Sequence, residues 1–321
     1  MGGRDKPGHD GSEMSDSQGL QAGGESSAGI VATFVAGHGV ALTEAVVRRA
    51  LREAGLSDRT LDWLAPDIAA DVFLDAQDPD VARARLQAAL AGEAIDVVVQ
   101  PAEGRRKRLL VADMDSTMIE QECIDELAGL IGIRARIAAI TERAMAGELN
   151  FQAALKERVA LLAGVTLDQI ATIVARITLT PGARALVQTM RAHGAHTALV
   201  TGGFTQFTAP VAARIGFDET FANRLEIVER ALTGAVIEPV QGREGKRAAL
   251  VSLRERLGLA SVATLAIGDG ANDLDMLREA GLGVAYHAKP KVADVAAARI
   301  NYADLTALLY AQGYRRNDFR E

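Results

Sequence analysis

Three short stretches and one lysine stand out in this 321-residue sequence because their side chains suit a single chemistry. They are Asp113-Met114-Asp115-Ser116-Thr117, Thr201-Gly202-Gly203, Lys246, and Gly268-Asp269-Gly270-Ala271-Asn272-Asp273. Asp113, Asp115 and Asp269 offer hard oxygen ligands of the kind Mg²⁺ prefers. Carboxylates brought together without a cation repel, so their convergence would imply a metal. Lys246 is a point charge suited to phosphate. Thr201 and its glycines can present a hydroxyl and backbone N–H groups to an anion. Carboxylate nucleophile, divalent ion and phosphate cradle together describe phosphoryl transfer. Singly, each piece is ordinary: a DxD caps helices, Thr-Gly-Gly makes turns, and GDGxND makes a tight loop. The conjunction, in this order along the chain, carries the reading.

The surrounding elements explain how these groups could meet. RLLVA, TALV and TLAI read as short buried strands, and each runs directly into one of the three stretches. Ligands of open α/β sheets lie beyond the carboxyl ends of the strands. After the first strand, residues from about 120 to 180 show only helical periodicity. ECIDELAGLIG and ARIAAITERAM come first, then FQAALKERVALLAG with Asn150 able to cap, then TLDQIATIVARI with Thr166 and Gln169 at capping-box spacing. These helices read as an inserted bundle. TPGARALVQTMRAHG is expected as a helix with Thr180 as N-cap and Gly194 past its end. GLGVAY adds another strand, and the alternation of strands and helices predicts a Rossmann-like parallel sheet covered on both faces.

Upstream, IVATFVAG, LTEAVVRRALREAG, LDWLAP, ADVFLDA, VARARLQAALAG and AIDVVVQ give the order βαββαβ, complete by about Gln100. That order predicts a small α+β domain whose sheet carries helices on one face. The expected organisation is a disordered tail over residues 1–27, an α+β domain over 28–104 and an α/β domain over 105–321. The basic run Arg105-Arg106-Lys107-Arg108 between them reads as a solvated linker.

Composition narrows the function. A formal net charge of -7 argues against a binder of nucleic-acid backbone but not against a small anionic substrate in a local positive pocket. With 49% hydrophobic but only 4% aromatic residues, the core must be aliphatic. The single cysteine, Cys123, allows neither an internal disulfide nor a thiolate zinc site. No apolar run approaches the ~20 residues of a membrane span, and the first residues lack a signal-peptide apolar stretch. A soluble cytoplasmic protein is expected, with no nucleic-acid or membrane partner.

DMDSTMIEQE, LVTGGF, the lysine of GREGKR, and GDGANDLDM resemble the four motifs of the haloacid dehalogenase (HAD) superfamily. The stretch from Asp113 to Glu122 and the segment MAGELNFQAALKERV are similar to its phosphoserine phosphatase branch in particular. The amino-terminal βαββαβ resembles the ACT-like domain that precedes the catalytic part in many bacterial members. The resemblance implies Mg²⁺-dependent hydrolysis of O-phospho-L-serine, the last step of serine biosynthesis, through a phospho-aspartyl intermediate. Asp113 would be the nucleophile and Asp115 the general acid and base. Side chains at i and i+2 of an extended segment point the same way, so both can face one phosphate. Asp113, the Asp115 carbonyl and Asp269 would hold the metal. Thr201, Gly202, Lys246 and Asn272 would hold the phosphate, with Asp273 orienting Lys246 or a metal-bound water. The family usually has Ser where this chain has Thr201; the hydroxyl is kept.

Glu122 and Arg158 match the residues that recognise the ammonium and carboxylate of the substrate, and Met145 and Phe151 match those that close over it. Independently, Arg158 lies two helical turns after Phe151, on the face of Phe151, Leu155 and Leu162. An arginine there either snorkels or recognises an anion. Other readings are a phosphatase for phosphohomoserine or phosphothreonine, a phosphotransferase, and an amino-acid-sensing regulatory protein. The ACT-like domain would serve either to bind serine or to make a homodimer.

Overall fold

Six elements open the chain: β1 (Ile30–Ala36), α1 (Glu44–Glu53), β2 (Leu61–Ala65), β3 (Ala69–Leu74), α2 (Pro79–Ala89) and β4 (Ile95–Pro101). The computed structural model describes residues 29–56, 60–75 and 78–321, without the side chains of Met145 and Lys291. The tail expected over residues 1–27 lies outside the described residues. Each early helix starts at a side-chain cap. Thr43 accepts from the Val46 N–H at 3.3 Å, and Asp78 accepts from the Asp80 N–H at 2.8 Å with Pro79 in the first turn. The strands form an antiparallel sheet in the order β2-β3-β1-β4.

Strand alternation sorts this sheet into two faces. Ala32, Phe34, Val72, Val97 and Val99 pack against Val47, Leu51 and Leu86 of the two helices. The opposite face is not open to solvent. Val35, Leu64, Ala69 and Val98 join a core that includes Leu308 and Leu309 near the carboxyl end of the chain.

Polar groups fasten this junction. Asp96 of β4 is 3% exposed and accepts three successive backbone N–H groups, from Asn301 (2.8 Å), Tyr302 (3.0 Å) and Ala303 (2.8 Å). Buried Asp71 takes Thr33 at 2.6 Å and Arg105 at 2.7 Å. Gln100 donates to the Ala311 carbonyl at 2.7 Å, and the Lys107 N–H donates to Gln312 at 3.1 Å. The basic run is therefore not a solvated linker throughout. Arg105 is spent on Asp71, and the buried Lys107 ammonium donates to the carbonyls of Gly104 and Val262, both at 3.0 Å.

The second unit comprises β5 (Leu109–Ala112), α3 (Cys123–Leu130), α4 (Arg134–Met145), α5 (Phe151–Ala160), α6 (Leu167–Val174), α7 (Ala183–Ala192), β6 (His196–Phe204), α8 (Thr205–Ile215), β7 (Glu219–Val228), β8 (Ala231–Ile237), α9 (Arg243–Arg256), β9 (Thr264–Gly268), α10 (Leu274–Glu279), β10 (Leu282–Tyr286), α11 (Pro290–Ala293), β11 (Ala298–Ile300) and α12 (Ala307–Ala311). Its sheet runs β11-β10-β9-β5-β6-β7-β8, parallel except for β8. One face buries Leu110, Leu199 and Leu265, and the other buries Leu109, Val111, Val200 and Leu250. No described helix is long and apolar enough to cross a membrane.

Helices α3 to α6 form the inserted cap, closed at its base by a bridge between Ile119 and Leu179. Asn150 caps α5 through the Ala153 N–H at 2.8 Å, and Thr166 and Gln169 form the expected capping box. Helix α7 begins later than expected, with Gly182 rather than Thr180 as N-cap. Gly182 sits at φ +81°, and a Cβ there would meet the Thr306 nitrogen at 2.7 Å. The Pro181 carbonyl is taken by the Leu305 N–H at 3.1 Å, so the chain must turn before the helix can start. The hairpin β7–β8 was not anticipated from the sequence, and it braces the cap. The Gly164 N–H donates to the Leu232 carbonyl (2.8 Å), the Leu232 N–H to Val165 (2.8 Å) and the Leu167 N–H to Arg230 (2.9 Å).

Asp96→Ala would leave three N–H groups, that of Ala303 buried and those of Asn301 and Tyr302 partly so, without their acceptor. We expect a loss of about 3 kcal/mol in urea unfolding, with Asp96→Asn intermediate because one acceptor oxygen remains.

Candidate active site

Strand order places the chemistry. β5 lies between β6 and β9, so residues just past their carboxyl ends converge. Ala112 is level with Leu199 on one side and Ile267 on the other. The Asp113 N–H continues the ladder by donating to the Ile267 carbonyl at 3.0 Å. The chain then turns sharply. The Met114 carbonyl accepts the N–H groups of Thr117 (3.3 Å), Met118 (2.9 Å) and Ile119 (3.1 Å), with Ser116 at φ +54°. This turn hands the chain to the cap while leaving Asp113 over the strand ends.

Lys246, on the first turns of α9, is fully buried. Its ammonium lies 2.6 Å from Asp113 and 2.6 Å from Asp273. The second oxygen of Asp273 accepts the Gly270 N–H at 3.0 Å. Asp273 can come this close only because position 268 lacks a Cβ, which would lie 2.3 Å from its carboxyl carbon. Thr201 is 1% exposed, and its hydroxyl accepts the Gly203 N–H at 2.9 Å. Thr117, absent from the sequence-derived set, places its hydroxyl 3.4 Å from Asp269.

The electrostatics follow from burial and from a shortage of positive charge. Burial, then Asp273, pushes Asp113 well above the usual carboxylate range, and Lys246 opposes this. Burial pulls the Lys246 pKa down, but Asp113 and Asp273 more than offset it and hold the ammonium above its ordinary range. Burial, then Glu122, raises Asp115 to about 7; burial, then Asp273, raises Asp269 to about 6. One ammonium thus faces several carboxylates. Carboxylate oxygens of Asp113, Asp269 and Asp273 lie within 4.8 Å of one another. A hard cation at this cluster would supply the missing charge through the ligands it prefers, so the donor set fits a metal ion.

The sequence reading expects Asp113, the Asp115 backbone carbonyl and Asp269 around the metal. Here Asp273 completes the cluster, and the Asp115 carboxylate accepts the Cys123 N–H at 3.1 Å, where α3 begins. Burial, then Asp115, drives the Cys123 thiol upward and keeps it protonated. Glu122 is exposed and accepts the Ser116 hydroxyl at 2.7 Å. Asn272 is half-buried beside Gly270, where a Cβ would meet its side-chain oxygen at 2.3 Å.

In the cap, the half-buried Arg158 guanidinium donates to the Ala154 carbonyl at 3.3 Å, and among the described residues it makes no ion pair. Burial lowers its pKa, while Asp125 and Glu122 oppose the shift from a distance. Leu155 and Leu162 of the same face are buried, and Phe151 is 36% exposed. The Phe151 ring reaches the core unit: a Cβ at Gly202 or Gly242 would meet it at 3.1 and 2.7 Å. Met145 ends α4, and its side chain lies outside the described residues.

Residues 110–278 match the haloacid dehalogenase-like hydrolases. The chain belongs to that family. Among curated HAD relatives, phosphoserine phosphatase SerB2 of Mycobacterium tuberculosis is 41% identical over 71% of this chain and 56% of its own length. A probable phosphoserine phosphatase of Schizosaccharomyces pombe is 44% identical over 65% of this chain and 70% of its own. The matched stretch thus spans little more than half of the first relative. Among solved structures, a HAD family hydrolase of Salmonella enterica serovar Typhi superposes with a TM-score of 0.79 at 31% identity, covering 88% of this chain and 98% of that one. A probable phosphoserine phosphatase of Vibrio cholerae gives 0.74 at 32% identity, covering 89% and 87%. Both HAD structures extend over most of this chain, beyond the stretch matched by the family.

Lys246→Met removes the ammonium and leaves two buried carboxylates facing each other. We expect a destabilisation of about 3–5 kcal/mol in chemical unfolding. Added divalent cation should recover part of that loss.

Proposed function

We propose that the chain is a Mg²⁺-dependent, cytoplasmic phosphoserine phosphatase. The observation that carries the substrate is Arg158: a half-buried guanidinium in the cap, without an ion-pair partner among the described residues, on an α5 whose first residue packs over Gly202. Such a fork suits the carboxylate of a small amino acid, and the exposed Glu122 near Asp115 suits its ammonium. The names of the relatives point to the same ester.

Asp113 attacks phosphorus, and the bond from phosphorus to the serine oxygen breaks. Asp115, raised to about 7, gives its proton to that oxygen. The resulting carboxylate then takes a proton from the water that attacks the phospho-aspartate, which frees phosphate and restores Asp113. Thr201, the Gly202 amide, Lys246 and Asn272 hold the phosphate oxygens, while Asp273 keeps Lys246 aimed. Asp113, Asp269 and the Asp115 carbonyl would hold Mg²⁺, which would supply charge neutralisation for the phosphate. The cap, with Met145 and Phe151, excludes water from the acyl phosphate. A related phosphoserine phosphatase has been solved as a phospho-aspartyl intermediate analogue, in keeping with this route.

Phosphate release from O-phospho-L-serine should require Mg²⁺, vanish with a chelator and return on adding the metal back. Asp113→Asn should lower kcat by at least about 10³-fold; unchanged turnover would refute the mechanism. Arg158→Ala should raise KM for phosphoserine by about tenfold or more and spare an aryl phosphate. Equal losses on both substrates would remove Arg158 from recognition.

A further inference from the structure

The parallel ladder between β6 and β7 is interrupted where the site begins. Val200 pairs with Phe221, but the next pair is Phe204 with Asn223. Three residues, Thr201 to Gly203, therefore bulge out opposite Ala222 alone. A bulge leaves backbone groups without ladder partners, and these must be satisfied elsewhere. Asn223, 1% exposed, does so for Gly202, donating to its carbonyl at 2.9 Å. The same amide nitrogen donates to the Gln241 carbonyl at 3.0 Å, and the Asn223 side-chain oxygen accepts the Gln241 N–H at 2.6 Å. Both donors and the acceptor are thus committed to backbone.

The two segments joined in this way are the Thr201–Gly203 bulge and the approach to α9. Gly242, next to Gln241, is the N-cap of the helix that carries Lys246. Gly202 and Gly242 also form the two sides of the slot that receives the Phe151 ring. We propose that Asn223 is a positioning residue: it sets the spacing between the Thr201–Gly202 loop and the α9 terminus, and so fixes both the phosphate cradle and the seat of the cap. This rests on reading Thr201, Gly202 and Lys246 as that cradle. Asparagine suits the task because it is short and carries donor and acceptor on one plane. An aspartate of the same shape would turn oxygen toward two carbonyls, losing both donated bonds and adding repulsion.

The test uses an aryl phosphate as substrate and inorganic phosphate as competitive inhibitor, so it does not depend on which ester is native. Asn223→Asp should raise KM for the aryl ester and Ki for inorganic phosphate together, by about tenfold or more, because small misplacements at a cradle are costly. A purely structural role would lower kcat with the folded fraction and leave KM and Ki unchanged, and that result would overturn the inference. If the variant does not fold, the wild-type Asn223 side-chain amide can be followed by NMR. Both protons should be protected from exchange and should shift when inorganic phosphate is added; rapid exchange without a shift would overturn the inference. Wild-type turnover of the aryl ester but not of phosphoserine would sink the substrate reading and leave this one standing. A wild type that neither hydrolyses nor binds phosphate would remove both.

Discussion

Most of the site depends on one buried cation. The Lys246 ammonium, with no exposure to solvent, touches Asp113 and Asp273 at equal distance. A charge taken out of water is stable only when paired and hydrogen-bonded. Three elements from distant parts of the chain must therefore be in place at once: the end of β5, the start of α9 and the turn after β9. The parallel sheet makes that possible by putting β5 beside β9, and Gly268 makes it possible by giving Asp273 room. The remaining imbalance, several carboxylates to one ammonium, is what suits the cluster to a metal ion.

Around this centre the cap is held at two points of different kind. Its base is closed by the Ile119–Leu179 bridge, and the loop between α5 and α6 hydrogen-bonds to the β7–β8 hairpin. Between those points α5 carries Phe151, which packs on Gly202 and Gly242, and the half-buried Arg158, which makes no ion pair among the described residues. β7 contributes at both ends, since Asn223 ties the loops beneath Phe151 while its hairpin partner β8 pairs with the cap. The cap and the Thr201–Gly203 bulge therefore share a frame.

Much of this was legible in the sequence where the signal is local. The strand-end acids, the Thr-Gly-Gly turn, the Asn150 cap and the Thr166–Gln169 capping box each involve residues a few positions apart. The family follows from the motifs around Asp113, Lys246 and Asp269. What escaped depends on distant partners. Asn223 sits in a strand with no motif around it, and its role comes from a bulge in the neighbouring strand and a loop further on. Gly182 displaced Thr180 as the cap of α7 because residues 305–306 press on the turn. Asp273 joins Asp113 and Asp269 at the carboxylate cluster because the chain turns back at Gly270, while the Asp115 side chain accepts the Cys123 N–H. The basic run looked solvated because Asp71, Gly104 and Val262, its actual partners, could not be seen from its own composition.

The seam between the two units has a consequence for the order in which the molecule is made. The four-stranded sheet is synthesised early, and its helices cover one face at once, since α1 and α2 lie within the same stretch of chain. The groups that cover the other face, from the N–H groups of Asn301 to Ala303 through Leu308 and Gln312, lie about 200 residues further along the chain. Until residues 301–312 have been made, Val35, Leu64 and Val98 lack these partners and Asp96 lacks the three N–H groups that donate to it. A nascent chain stopped short of residue 301 thus displays an apolar sheet face that the finished protein never shows, a distinction that quality-control proteases and chaperones can read.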